Sequence, residues 1–303
     1  MPESIDKKAG IKGLFVALTL AFLLLLSACP GGAGNSTPIG GPAGQKIKVV
    51  GGTTLISTIV KEVGGSRVES LSIIPPAEDP AAFSVRFENI TTLAAADIFL
   101  IHDWQKEKFS QSVIDSAKNP KLMVAEISLA GDWVIPDIQR QAADKVAVAL
   151  KSLDTGFSAT YDAGLTAYKE KIRKKEDLLR QQIAAQKFGS DPASINVICA
   201  APATDFVKWI GVTVVATYGK SETMTPAKVL EIVDTVGQKK VAVIADTIQN
   251  GENVGEALAK KLGVEKVVLS SYPGAAKYTT NWEDTIARNL TLILATISNC
   301  PYC

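Results

Sequence analysis

From about Ile138 to Gln186 the chain carries no strand signal, and the part of it flanked by Gly156 and Gly189 constrains the fold more than any other. GFSATYDAGLTAYKEKIRKKEDLLRQQIAAQK places Tyr161, Leu165, Tyr168, Ile172, Leu178, Leu179 and Ile183 at helical spacing, with a charged face opposite. About 30 helical residues would span roughly 45 Å, enough to run along two lobes. The basic run KEKIRKKED is its solvated face. On both sides of this helix, strands and helices alternate. KIKVVGG, RVESLSII, DIFLIH and KLMVAEIS read as strands, separated by the helical runs TLISTIVKEVGG, VRFENITTLAAA and FSQSVIDSA. After it, INVICA, VTVVATYG, KKVAVIAD and KVVLSS alternate with TDFVKWIG, PAKVLEIVDTVGQ and NVGEALAKKLG, and NWEDTIARNLTLILATI closes the series as a helix. Such alternation argues for βα units and parallel sheets. The expected fold class is α/β: two lobes, each a mainly parallel sheet flanked by helices, joined by one long backbone helix. The lobes are expected at 46–154 and 189–303, with the linking helix at 155–188.

The N-terminal region stands apart. Lys7, Lys8 and Lys12 precede an uncharged run from Gly13 to Leu26, the length of a signal h-region and too short to cross a bilayer comfortably. It ends in Leu26-Ser27-Ala28-Cys29, which resembles a bacterial lipobox. That resemblance implies a lipoprotein signal peptide over 1–28 and acylation of the Cys29 thiol, a membrane anchor without a transmembrane helix. The stretch from 30 to 45 holds six glycines, three prolines and no charge, so 29–45 reads as a flexible tether.

Composition then removes whole classes of function. Thirty-two basic against 31 acidic residues leave a net charge of +1, with no electrostatic case for nucleic acid. With Cys29 acylated, Cys199, Cys300 and Cys303 remain, which make no disulfide framework. Cys300 and Cys303 have the C-x-x-C spacing of redox enzymes. They follow a helix instead of opening one, so no helix N-terminus lowers a thiol pKa, and a small disulfide or a thiol pair fits better. There is no Ser-His-Asp set, no G-x-S-x-G and no phosphate loop, so no enzyme is expected. The single histidine, His102, means that no site in one chain can use two imidazoles.

The order of elements, with a lipobox in front, resembles the metal-type (zinc and manganese) solute-binding lipoproteins of ABC importers. The resemblance is carried by VVGGTTLISTIVKEVGG, IIPPAEDPAAF, LAAADIFLIHDWQKE, LKSLDTGFSATYDAGLTAY and RNLTLIL, and it covers residues 46–299. It implies a cleft between the lobes, a zinc or manganese ion as cargo, no cofactor, an ABC permease as partner and an exported, lipid-anchored location. It also implies four metal-ligand positions. Three fall on Ala81, Gly131 and Ala200 or Ala201, and the fourth on Asp246.

A lone carboxylate does not hold zinc, which takes about four ligands, or manganese, which takes more oxygens. Three readings stay open. The site can be rebuilt around His102 and Asp246 with Asp79, Asp103, Asp205, Glu222 or Cys199. The cargo can be an organic molecule or a metal chelate held by aromatic side chains, among them Trp104, Trp133, Tyr218 and Tyr272. The cleft can also be degenerate, leaving an adhesion or docking protein. Trp209 and Trp282 read as packing residues, and Cys199 as an inert buried thiol.

Overall fold

The computed structural model describes residues 44–109, 111–186 and 191–300. The signal peptide, Cys29, most of the tether, Gly189 and Cys303 lie outside the described residues. Two four-stranded parallel sheets are present. The first contains β1 (Ile47–Gly51), β2 (Val68–Ser72), β3 (Ile98–His102) and β4 (Met123–Ile127) in the order β2-β1-β3-β4. The second contains β5 (Asn196–Ala200), β6 (Thr213–Tyr218), β7 (Val241–Thr247) and β8 (Glu265–Leu269) in the order β6-β5-β7-β8. Each sheet thus places its first strand between its second and third. The inner strands are largely apolar, and every residue of IFLIH and of VAVIADT is buried. The outer strand β2, VESLS, alternates between covered and exposed. That contrast follows from covering a parallel sheet on both faces.

The helices are α1 (Thr54–Gly64), α2 (Phe87–Ala94), α3 (Gln111–Ser116), α4 (Pro136–Leu153), α5 (Ser158–Ala185), α6 (Thr204–Ile210), α7 (Pro226–Val236), α8 (Glu256–Leu262) and α9 (Trp282–Ser298). The long helix expected from the sequence is α5, 28 residues and so about 42 Å long. It buries Tyr161, Tyr168, Ile172 and Leu179, a narrow stripe, whereas Leu178 is 56% exposed and does not join it. The 18-residue α4 was not resolved in the sequence. Half of its buried residues are alanine (Ala142, Ala143, Ala147, Ala149), which permits close packing.

Side chains bind α5 to its neighbours. The buried Arg67 donates to Asp154 at 2.7 Å, Tyr161 donates to the same carboxylate at 2.8 Å, and the guanidinium lies 3.8 Å over the Phe157 ring. Lys171 reaches Glu62 of α1 and Glu283 of α9, both at 2.8 Å. Gln139 of α4 donates to the Tyr168 hydroxyl at 2.8 Å. A single apolar core passes from β1, α1 and α4 through α5 to β5, β7 and α9. Trp282 is buried in it and donates from Nε1 to the Val134 carbonyl at 2.9 Å, joining the two halves. The architecture is the two-lobed α/β arrangement read from the sequence. None of the described helices is long and apolar enough to cross a membrane.

Candidate functional site

Both sheets turn the C-terminal ends of their strands toward one cleft of about 620 Å³. Open parallel sheets present loops at these ends, where ligands are held. His102, Asp103 and Trp104 follow β3, and the run from Ser128 to Trp133 follows β4. From the other side come Ala201 and Asp205 after β5, Lys220 after β6, Gln249 and Asn250 after β7, and Tyr272 after β8. The loop IPPAEDPAAF contributes Asp79, Pro80 and Ala81.

Seven of the eleven residues singled out in the sequence therefore line the cleft: Asp79, His102, Asp103, Trp104, Trp133, Asp205 and Tyr272. Most already have partners. Asp79 organises its own loop, accepting from the Ala81 amide at 2.9 Å, and forms an ion pair with Lys220 across the cleft. Asp103 accepts from the Ser128 hydroxyl at 2.6 Å and from the Trp104 amide at 2.8 Å, and the Ser128 bond leads in holding its pKa below the usual carboxylate value. His102 is buried. Its Nε2 lies 2.9 Å from Thr53 Oγ1, and its ring stacks on Trp104 at 5.0 Å and tilts against Trp133 at 4.3 Å. Burial lowers its pKa to about 3, so the imidazole is neutral. Trp133 is buried, with Nε1 3.3 Å from the Leu129 carbonyl, whereas Trp104 is 52% exposed and offers a ring to solvent.

Tyr218 and Asp246 are placed apart from these lining residues. They meet each other and do not line the cleft. Asp246 is fully buried. It accepts from the Tyr218 hydroxyl at 2.5 Å and from the Gly255 amide at 2.9 Å, and Lys266 lies 3.4 Å away. In a strand, alternate side chains point to opposite faces. Asp246 has the parity of Ile244, on the face where Tyr218 packs with residues of α7 and α8. Its oxygens are engaged there, so it is a structural carboxylate in this geometry. A Cβ on Gly255 would come within 2.6 Å of the Tyr218 hydroxyl, so that position must stay bare.

Glu222 and Cys199 also stand outside the cleft lining. Cys199 is buried, and burial pushes its thiol up to about 11. Trp209 stacks on Phe206 and lies under Arg180. Cys300 is disulfide-bonded and half-buried against the core.

Three positions that the resemblance assigns to ligands, Ala81, Gly131 and Ala201, do line the cleft, but without donor side chains. Among the described residues, no group of three or more His, Cys, Asp or Glu side chains is disposed to hold a metal ion.

Sequence reasoning missed Asp132 and Lys220. Asp132 follows Gly131 and accepts from the Val134 amide at 2.9 Å, the mark of an Asx turn that GDWV could have suggested. Burial raises its pKa to about 7, and the charge of Asp205 adds to the shift. Lys220 has no local signal, because its partner Asp79 is 141 residues away. The halves also meet where Gln249 Nε2 donates to the Pro76 carbonyl at 2.7 Å.

Comparison with known proteins agrees with this geometry. Residues 49–296 match the family described as zinc-uptake complex component A, periplasmic. The manganese ABC transporter substrate-binding lipoprotein PsaA of Streptococcus anginosus is 24% identical over 255 residues, 76% of this chain and 79% of the relative. Two solved structures share the fold. The Mn-bound periplasmic metal binding protein of candidatus liberibacter asiaticus has a TM-score of 0.69 at 15% identity, covering 83% of this chain and all (100%) of that one. A variant of the laminin-binding adhesin Lmb of Streptococcus agalactiae has a TM-score of 0.68 at 18% identity, covering 83% and 99%. With the family match spanning most of the chain and both lobes facing one cleft, the chain belongs to the zinc-uptake complex component A family of importer substrate-binding proteins.

Proposed function

We propose that this chain captures a solute in the inter-lobe cleft and delivers it to an ABC permease, as an exported protein anchored by lipid at Cys29. In this reading, 1–28 is removed, 29–45 is the tether, and the lobes at 46–154 and 189–303 close on cargo about the helix at 155–188. The cargo class that the family supports is a divalent transition metal; the relative named above is a manganese transporter component. The observation that carries the reading is that two parallel sheets open their C-terminal ends on one cleft, bridged by the Asp79–Lys220 pair and the Gln249–Pro76 hydrogen bond. The stiff α5, packed on α1, α4 and α9, limits closure to a modest movement. No bond is made or broken in this scheme.

Thermal unfolding of the mature chain with and without candidate solutes tests it. A ligand at one hundred times its Kd stabilises a protein by about 2.7 kcal/mol. At about 2–4 °C per kcal/mol for a chain of this size, the midpoint should rise by roughly 5–10 °C. No solute-dependent rise, together with unimpaired import in a strain lacking the chain, would refute solute capture. Radiolabelled palmitate incorporation, lost in Cys29→Ala, tests the anchor.

A further inference from the structure

We infer that the cleft admits its cargo as a cationic organic species, either a metal ion inside a carried organic complex or an organic cation, and not as a bare ion. The inference rests on the solute-capture reading and narrows its cargo.

Three observations carry it. The first is room. The cleft measures about 620 Å³. An ion with six waters, at about 30 Å³ of liquid volume each, needs only about 180 Å³. Organic ligands occupy pockets of about 300–1,000 Å³. The second is the supply of donors. Asp79 is paired with Lys220, Asp103 holds Ser128 and the Trp104 amide, and His102 is buried against Thr53 and two indoles. Asp205 and Asp132, the latter with one oxygen on the Val134 amide, remain, one from each half. Two carboxylates cannot supply the four or more ligands that zinc or manganese takes. They can fix the ends of a larger cation.

The third is the character of the walls. Asp79, Asp103 and Asp205, joined by Asp132 as it ionises around pH 7, line the cleft against one ammonium, Lys220, so the field favours cations and rejects anionic chelates. The half-exposed Trp104 ring and Tyr272 offer aromatic faces for stacking and cation–π contact. Ala81, Gly131 and Ala201 leave the space between open. A metal arriving this way keeps the coordination sphere of its carried ligand, so the protein need not complete one.

The test is a set of titrations of the mature chain, followed by thermal unfolding and calorimetry. One arm uses the chlorides of manganese, zinc and nickel. A second uses nickel held in the dicationic bis(2,2′-bipyridine) complex. A third uses the metal-free aromatic cation 1-methyl-4-phenylpyridinium. A fourth uses nickel citrate, which is anionic. The inference expects stabilisation in the second or third arm, at least tenfold tighter than any bare ion, and none from citrate. Stabilisation in the second arm alone identifies a metal complex as the source, and in the third alone an organic cation. Asp205→Asn and Trp104→Ala, both on exposed side chains and so expected to fold, should each weaken that binding at least tenfold. A bare ion that binds as tightly as the cationic complexes overturns the inference and leaves solute capture standing. No binding in any arm overturns the inference, and solute capture falls with it only when import is also unimpaired in a strain lacking the chain.

Discussion

Replacing Gly164 by alanine sets two effects against each other in the helix that joins the lobes. Alanine is the better helix former, by about 0.8–1.0 kcal/mol in an exposed helix interior. However, α5 lies so close to α1 at this point that a Cβ on residue 164 would sit 2.1 Å from the Val63 carbonyl oxygen and 2.9 Å from its carbon. The obstacle is backbone and cannot rotate away. Ordinary contact begins at 3.4 Å, so the helices must part by more than an ångström (3.4 − 2.1 = 1.3). Overpacking of this kind costs about 1–3 kcal/mol, and a backbone clash belongs at the upper end. The net expectation is a loss of about 1–2 kcal/mol, a fall in melting temperature of roughly 2–8 °C. Gly156→Ala is the internal control. Nothing lies within 4 Å of a Cβ there, so it should be neutral or slightly stabilising. Urea unfolding followed by circular dichroism measures both. Gly164→Ala as stable as the parent would refute the close approach of α1 and α5 on which the account of the linking helix depends.

Other expectations follow from the same contacts. Arg67→Met leaves the buried Asp154 with only the Tyr161 hydroxyl, and urea unfolding should show a loss of about 3–5 kcal/mol. Tyr218→Phe removes a donor from the buried Asp246 and should cost about 1–3 kcal/mol of stability while leaving solute affinity unchanged; a loss of affinity at unchanged stability would return this pair to the binding site. Asp132 has a folded pKa near 7, above its unfolded value of 3.8. Its contribution to stability is therefore complete below the unfolded value and is lost as pH rises toward and through 7. Melting temperatures across that window should decline from this group, and Asp132→Asn should flatten the decline.

The fold was legible because its signals are local and repeated. Buried inner strands appear as short apolar runs, IFLI in β3 and VAVIA in β7, and the charged face of α5 identifies a long helix without tertiary information. Helix α4 carries an apolar stripe in its sequence spacing (Ala142, Ala143, Val146, Ala147, Leu150) that went unread. The cleft was legible in its rim, since residues just after strand ends must fall there. Which of those side chains are free was not legible, because that depends on parity and on distant partners. Asp246 faces Tyr218 because of its parity along β7, and Asp79 is neutralised by a lysine from the other half of the chain. Both facts are absent from any short stretch of sequence.

The central claim is that solute binds between the lobes, held by one carboxylate from each. Isothermal titration of the mature chain against the Asp132→Asn/Asp205→Asn double variant, with whichever probe stabilises the parent, tests it most directly. The account predicts saturable binding with one site per chain in the parent, and at least a hundredfold weaker binding in a double variant of unchanged fold by circular dichroism. Equal affinity in the two proteins would place the solute elsewhere and contradict the account.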